Sequence, residues 1–154
     1  YNDAQRHLRL DTLSRRELVA QIERESELAM DKVRPDVVIL PAPSYNQDHE
    51  ATFRAGFAAC RPHLPADKPF ARVVVSAEAP QLGWSVEPMR PSVYVDISGP
   101  YLERKLAAHA CHRSQLRPEP HHASLENLER LARLRGSEVA VEAAEAFCCH
   151  RLLM

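Results

Sequence analysis

Glycine is scarce in this chain: 154 residues hold four, at Gly56, Gly83, Gly99 and Gly136. None sits in a glycine-rich phosphate loop, which weighs against a nucleotide-binding domain. No apolar run approaches the roughly 18 residues of a membrane span. The polar opening YNDAQRHLRLD does not read as a signal peptide. A basic excess is missing too. Lys plus Arg is 20 against 21 Asp plus Glu, for a net charge of -1, so a nucleic-acid partner loses weight. The four cysteines, Cys60, Cys111, Cys148 and Cys149, are irregularly spaced and two are adjacent. A small secreted disulfide scaffold carries more of them. They read as reduced thiols of a cytoplasmic protein.

What remains is an ordinary globular composition, 45% hydrophobic and 27% charged, too apolar for disorder. The length suits a single domain over 1–154 with its own core. Twelve prolines point to stiff connections.

Periodicity predicts a helix over 12–34, with Thr12 or Ser14 as cap, Glu17 completing a capping box, and a stripe of Leu18, Ile22, Leu28 and Ala29. Arg34-Pro35 ends it. Asp36–Leu40 reads as a strand buried on both faces, as in a parallel sheet. A helix over 48–60 follows, with Phe53, Phe57 and Ala58 inward. Strands are expected over 70–76 and 92–97, joined by a proline-rich crossing over 77–91 that holds Trp84. Further helices are expected over 101–117, from Ser124 to Gly136, and over 138–152. Helices alternating with buried strands predict an α/β, Rossmann-like layered domain with a mostly parallel sheet. Three strands leave an edge that invites another strand, so a homo-oligomer is conceivable.

The sharpest chemical feature is Tyr45-Asn46-Gln47-Asp48-His49, just past the carboxyl end of the strand Asp36–Leu40. Ligands bind beyond strand carboxyl ends in open α/β sheets. There Asp48 and His49 could ligate a metal or move protons. Equally, Asp48 could cap the helix and His49 stand exposed in its first turn. Arg61 could grip a phosphate by a bidentate contact, or simply complement a helix C-terminus. Trp84 could stack on a sugar ring or sit half-buried in its loop. His109, Cys111 and His112, with Cys148-Cys149-His150, allow a rival metal site, although the spacing fits no finger or ribbon. Cys60, Cys111 and Cys148 read better as small core residues.

Several ordered segments together resemble the LmbE/PIG-L family of metal-dependent de-N-acetylases. They are RPDVVILPAPSYNQDHEATFRAGFAACRP (34–62), SAEAPQLGW (76–84), YVDIS (94–98) with LERKLAAHACHRSQLR (102–117), and SLENLERLARLRGSEVAVEAAEAF (124–147). The resemblance implies an LmbE-like fold and a zinc-dependent hydrolase that removes an N-acetyl group from an amino sugar or its conjugate. It implies a small-molecule partner and Zn²⁺ as cofactor. His49 falls where the family has a metal ligand. Asp48 falls on the acidic residue before it. Asn46 stands where many members carry a histidine; an amide can donate to an oxyanion but cannot act as a general acid. PEPHHASLENL (118–128) resembles a Pro-His-Pro-Arg-Ser-x-Glu segment of sugar-modifying members, so His121 could face the substrate or supply the acid, or simply stand exposed on its loop. The family's His-Pro-Asp-Asp motif, the source of its other two ligands and its general base, has no match in the chain. The resemblance therefore covers the C-terminal portion of a deacetylase, with an N-terminal part missing. These residues alone are expected to be inactive. The competing class is a non-catalytic binding or assembly module on the same fold.

Overall fold

A computed structural model of the chain describes residues 8–84 and 88–154. The expected crossing over 77–91 therefore falls in part, at 85–87, outside the described residues. The chain divides into two compact units. The first takes the residues up to Ala77, Trp84 and Cys149–Met154. The second takes Glu78–Gly83 and the residues from 88 to Cys148.

In the first unit the expected long helix over 12–34 is broken into short pieces. Helix α1 (Arg15–Ala20) begins at Ser14, whose Oγ accepts from the Glu17 backbone N–H, as expected of half a capping box. A π-helical turn over Gln21–Glu25 follows and ends at an extended Ser26. Helix α2 (Met30–Val33) is a single turn. The break has a packing reason: after the π turn the stripe no longer faces inward together. Leu18 and Ala29 are buried, whereas Leu28 is 83% exposed.

Strand β1 (Val37–Pro41) pairs in parallel with β2 (Val73–Ala77), Val37 against Val73 through Pro41 against Ala77. Contrary to the two-faced burial expected of β1, Val37 and Ile39 are 52% and 58% exposed. The buried face carries Val38 and Leu40, which join Val74, Met30, Ala59, Cys60 and Ala71 in the core. Helix α3 (Gln47–Ala59) lies on this core. Its inward residues are Ala55, Gly56 and Ala59; Phe57, expected inside, is exposed. Gly56 allows the approach, since a Cβ there would stand 2.5 Å from Leu40 Cδ2.

In the second unit β3 (Val93–Asp96) pairs antiparallel with β4 (Ala144–Leu152) over Val93–Phe147 to Asp96–Ala144. Helix α4 (Pro100–Ala110) starts on proline after Gly99, whose φ of 61° suits glycine. Helix α5 (Leu125–Glu138) starts at Ser124, whose buried Oγ accepts from the Asn127 N–H. Ile97, Leu102, Ala132 and Ala143 form this unit's core. Gly136 was expected to end α5 but lies inside it.

The largest correction is β4, where a helix over 138–152 was expected. Glu142–Ala146 favours helix by propensity, but propensity is a weak prior against tertiary pairing. Ala144 and Ala146 are buried, and Glu145 between them reaches Lys105 instead. Strand order is β1-β2-β4-β3. Bonds from Leu153 N to Arg72 O and from Glu78 N to Ala146 O show β4 running against the direction of β2. The sheet is thus mixed, not mostly parallel.

Among the described residues no helix is long and apolar enough to cross a membrane. Cys60 is buried as expected, but Cys111 is exposed and Cys148 only half-buried.

The chain between Val139 and Ala143 doubles back over the end of α5. A Cβ on Gly136 would lie 2.7 Å from the Ala143 backbone and 2.7 Å from the Val141 carbonyl. Backbone cannot step aside as a side-chain tip can. Gly136→Ala is therefore expected to lower stability by about 1–3 kcal/mol, read as a lower denaturant midpoint. An unchanged midpoint would show that the return passage is pliable.

Candidate active site

The loop after β1 ends in a closely bonded first turn of α3. Ala42 N bonds to Ala77 O at 3.2 Å, which extends the β1–β2 ladder into the loop. Ser44 Oγ accepts from Asn46 N at 3.2 Å and lies 3.4 Å from His49 Nδ1. The cap of α3 is Asn46, not Asp48. Its Oδ1 accepts from the N–H groups of Asp48 at 2.9 Å and His49 at 3.2 Å. Two donors on one oxygen fix the amide's orientation.

Asp48 turns the other way. Its carboxylate accepts from Leu8 N at 2.7 Å and Leu10 N at 2.8 Å, so both oxygens are engaged by backbone. Gln47 Nε2 adds a bond to Leu8 O at 3.2 Å. His49 is half-buried rather than exposed. The turn thus gathers Asn46, Asp48 and His49 beyond the carboxyl end of β1. The N-terminal half-charge of α3 favours an anion or an oxyanion there.

Arg61 is not brought to this turn. It follows the other end of α3, about 20 Å away along a helix of this length. Its Nη1 donates to Glu23 Oε1 at 2.7 Å and to Ala58 O at 2.8 Å. Lys68 Nζ reaches the same Glu23 oxygen at 2.8 Å. Trp84 is 79% exposed. His121, in the second unit, is exposed on the loop before α5. Its Nδ1 accepts from Ala123 N at 3.1 Å, so the neutral ring carries its proton on Nε2. Asn127 Nδ2 holds the loop by the carbonyls of Pro120 and His121. The ring of His122 packs 4.1 Å from that of His121, and burial, then His121, pushes its pKa down.

Sequence reasoning missed three polar features. Ser44 is short-range and was open to discovery as a hydroxyl two residues before the cap. The other two are long-range. Glu23 is buried beneath Arg61 and Lys68. In the second unit Glu78 is gripped by Arg135, whose Nε donates to Oε2 at 2.7 Å while Nη2 takes Oε1. That hydrogen bonding raises the pKa of Arg135 further.

Structural zinc chemistry needs several converging ligands. Among the described residues no three His, Cys, Asp or Glu side chains converge on a metal-sized position. His49 stands as a lone imidazole, and Asp48 is already engaged. The described residues therefore do not make a zinc site by themselves, and neither does the His109–His112 or the Cys148–His150 group.

No protein-family model matches the chain, and no curated protein matches it. Solved structures do. A conserved protein of Thermus thermophilus superposes with a TM-score of 0.67 at 24% identity, over 90% of this chain and 60% of its own. An N,N'-diacetylchitobiose deacetylase from Pyrococcus horikoshii, solved with an inhibitor, gives 0.60 at 22%, over 97% and 54%. The likeness is one of fold, and this chain spans little more than half the length of either structure.

Glu23 makes the second cluster testable. Burial alone would raise its carboxyl pKa, but the hydrogen bonds and charges of Lys68 and Arg61 outweigh that and hold it below the ordinary 4.5. A depressed acid stabilises above its unfolded pKa and loses that contribution as pH falls through the folded one. Wild type is expected to lose stability below about pH 4.5, beyond any loss in Glu23→Gln. The Gln variant should also be the weaker at neutral pH, where Arg61 and Lys68 lose their counter-charge. Parallel denaturation curves at neutral and acid pH would contradict the assignment.

Proposed function

We propose that this chain is part of a de-N-acetylase-type hydrolase, acting on the N-acetyl group of an amino sugar or sugar conjugate. The observation that carries the reading is the first turn of α3. There Asn46 is locked through Oδ1 by the N–H groups of Asp48 and His49, beyond a strand's carboxyl end, on a fold shared with a deacetylase.

The chemistry follows from the groups. Attack on an acetamide carbonyl builds negative charge on its oxygen. A donor already fixed in place stabilises that charge without reorganising. Asn46 Nδ2 is such a donor, and the helix terminus behind it has the matching sign. His49 offers an imidazole that Ser44 helps to orient. His49 would serve as one ligand of a zinc ion, which the described residues do not hold by themselves. A zinc ion held there would supply a Lewis acid and a bound water of lowered pKa. Asp48 serves as a structural acid, tying residues 8–10 to the turn. The exposed indole of Trp84 supplies an apolar face of the kind on which a sugar ring stacks. A cytoplasmic setting goes with this reading, supported by the cysteine usage.

A second reading, a binding or assembly module on the same fold, is favoured by one observation. Asp48 has both oxygens committed to backbone, so the pair Asp48-His49 is explicable as architecture.

Three variants of the intact gene product separate the readings. His49→Ala is expected to lose bound zinc and acetate release from N-acetylated amino sugars together. Normal zinc content with full activity would remove His49 from the centre. Asn46→Asp keeps an equally good cap but replaces the amide donor by a carboxylate. Activity should fall about 100-fold or more with no fall in melting temperature. Asn46→Ala should lose activity and also about 1 kcal/mol of stability. Full activity in Asn46→Asp would mean that the amide is only a cap.

A further inference from the structure

His150 on β4 links the sheet to α3 through one hydrogen bond and two ring contacts, all within the first unit. Its Nε2 lies 3.0 Å from Ser76 Oγ on β2, and Ser76 is buried. Its ring sits 5.5 Å from that of Phe53 and 5.2 Å, edge-on, from that of Phe57. The two phenylalanines stack on each other at 5.7 Å. Phe53 is one helical turn from His49 on the same face of α3.

The protonation state of the ring matters because of Ser76. A neutral imidazole can accept at Nε2, which satisfies the buried hydroxyl proton. An imidazolium donates at both nitrogens. The Ser76 proton then has no acceptor, and a buried unpaired donor is costly. Among the described residues the Ser76 side chain has no other partner.

Among the described residues no carboxylate pairs with the ring. On α3, Glu50 and Arg54 flank Phe53 and pair with each other. On β2, Ser76 lies between Val75 and Ala77, neither of which titrates. On β4, Cys149 and Arg151 are the neighbours, and Arg151 donates to the carbonyls of Ala71 and Cys60. His150 is exposed as a residue, and the partial desolvation of its ring pushes its pKa down.

We propose that His150, as a neutral imidazole, is a positioning residue for the first turn of α3. It sets where Phe53 and Phe57 rest and so couples the placement of Asn46 and His49 to its own protonation. What that turn does rests on the deacetylase reading; the coupling itself does not.

The test is an NMR titration of the intact gene product between about pH 7.5 and 5. A His49→Gln background removes the nearer imidazole. The side-chain amide pair of Asn46 and the ring of His150 are followed together. The Asn46 signals are expected to move with the midpoint of His150, and to stay flat once His150→Gln is added. A flat Asn46 response while His150 titrates would overturn the proposal. So would a shift that persists without His150. No hydrolysis enters the measurement, so failure of the deacetylase reading and failure of the coupling show up in different experiments.

Discussion

Helix α3 is fastened at both ends by side chains that satisfy backbone groups, and everything chemical in the first unit depends on that fastening. At its start, Asn46 takes two free N–H groups and Asp48 collects two more from residues 8 and 10. Past its end, Arg151 donates to the Cys60 carbonyl at 2.6 Å and to Ala71 at 2.8 Å. The same guanidinium lies 4.2 Å over the ring of Phe70. Between the ends, Gly56 lets the helix settle onto Leu40. Helix termini leave backbone groups unpaired. At the start the cap is the helix's own Asn46, with Asp48 tying in residues 8 and 10, and past the end the partner comes from β4, so closing the ends also fixes the helix in space.

The second unit solves the same problem differently. Its helix α5 is held by Ser124 at the start and by the close return of 139–143 over Gly136 near the end. The fork of Arg135 on Glu78 then ties α5 to the segment leaving β2. A two-pronged guanidinium contact fixes direction as well as distance. Ser98 works on a smaller scale: its Oγ donates to Asp96 and accepts from Ala143 N.

Local signals were legible where one segment decides its own fate. The run Val37–Leu40 after proline gave a strand, and Ser14 and Ser124 capped the helices they precede. Ordered resemblance to deacetylases led to the fold shared with a solved deacetylase. Legibility failed where distant residues decide. Ala144–Phe147 is helix-prone in isolation and became strand by pairing with β3. Asn46 and Asp48 are both good caps, and only the contacts with Leu8 and Leu10 show why Asp48 is not the one used. Arg61 finds Glu23 across 38 positions, a separation at which no spacing rule operates.

The bare face of β1 has a practical side. Val37 and Ile39 stand open on an outer strand of the sheet, and that strand carries no lysine to discourage company. Only Asp36 before it and Pro41 at its end interrupt an otherwise sticky template. A charged residue in place of Ile39 would break that run without touching the inner face, which Val38 and Leu40 supply.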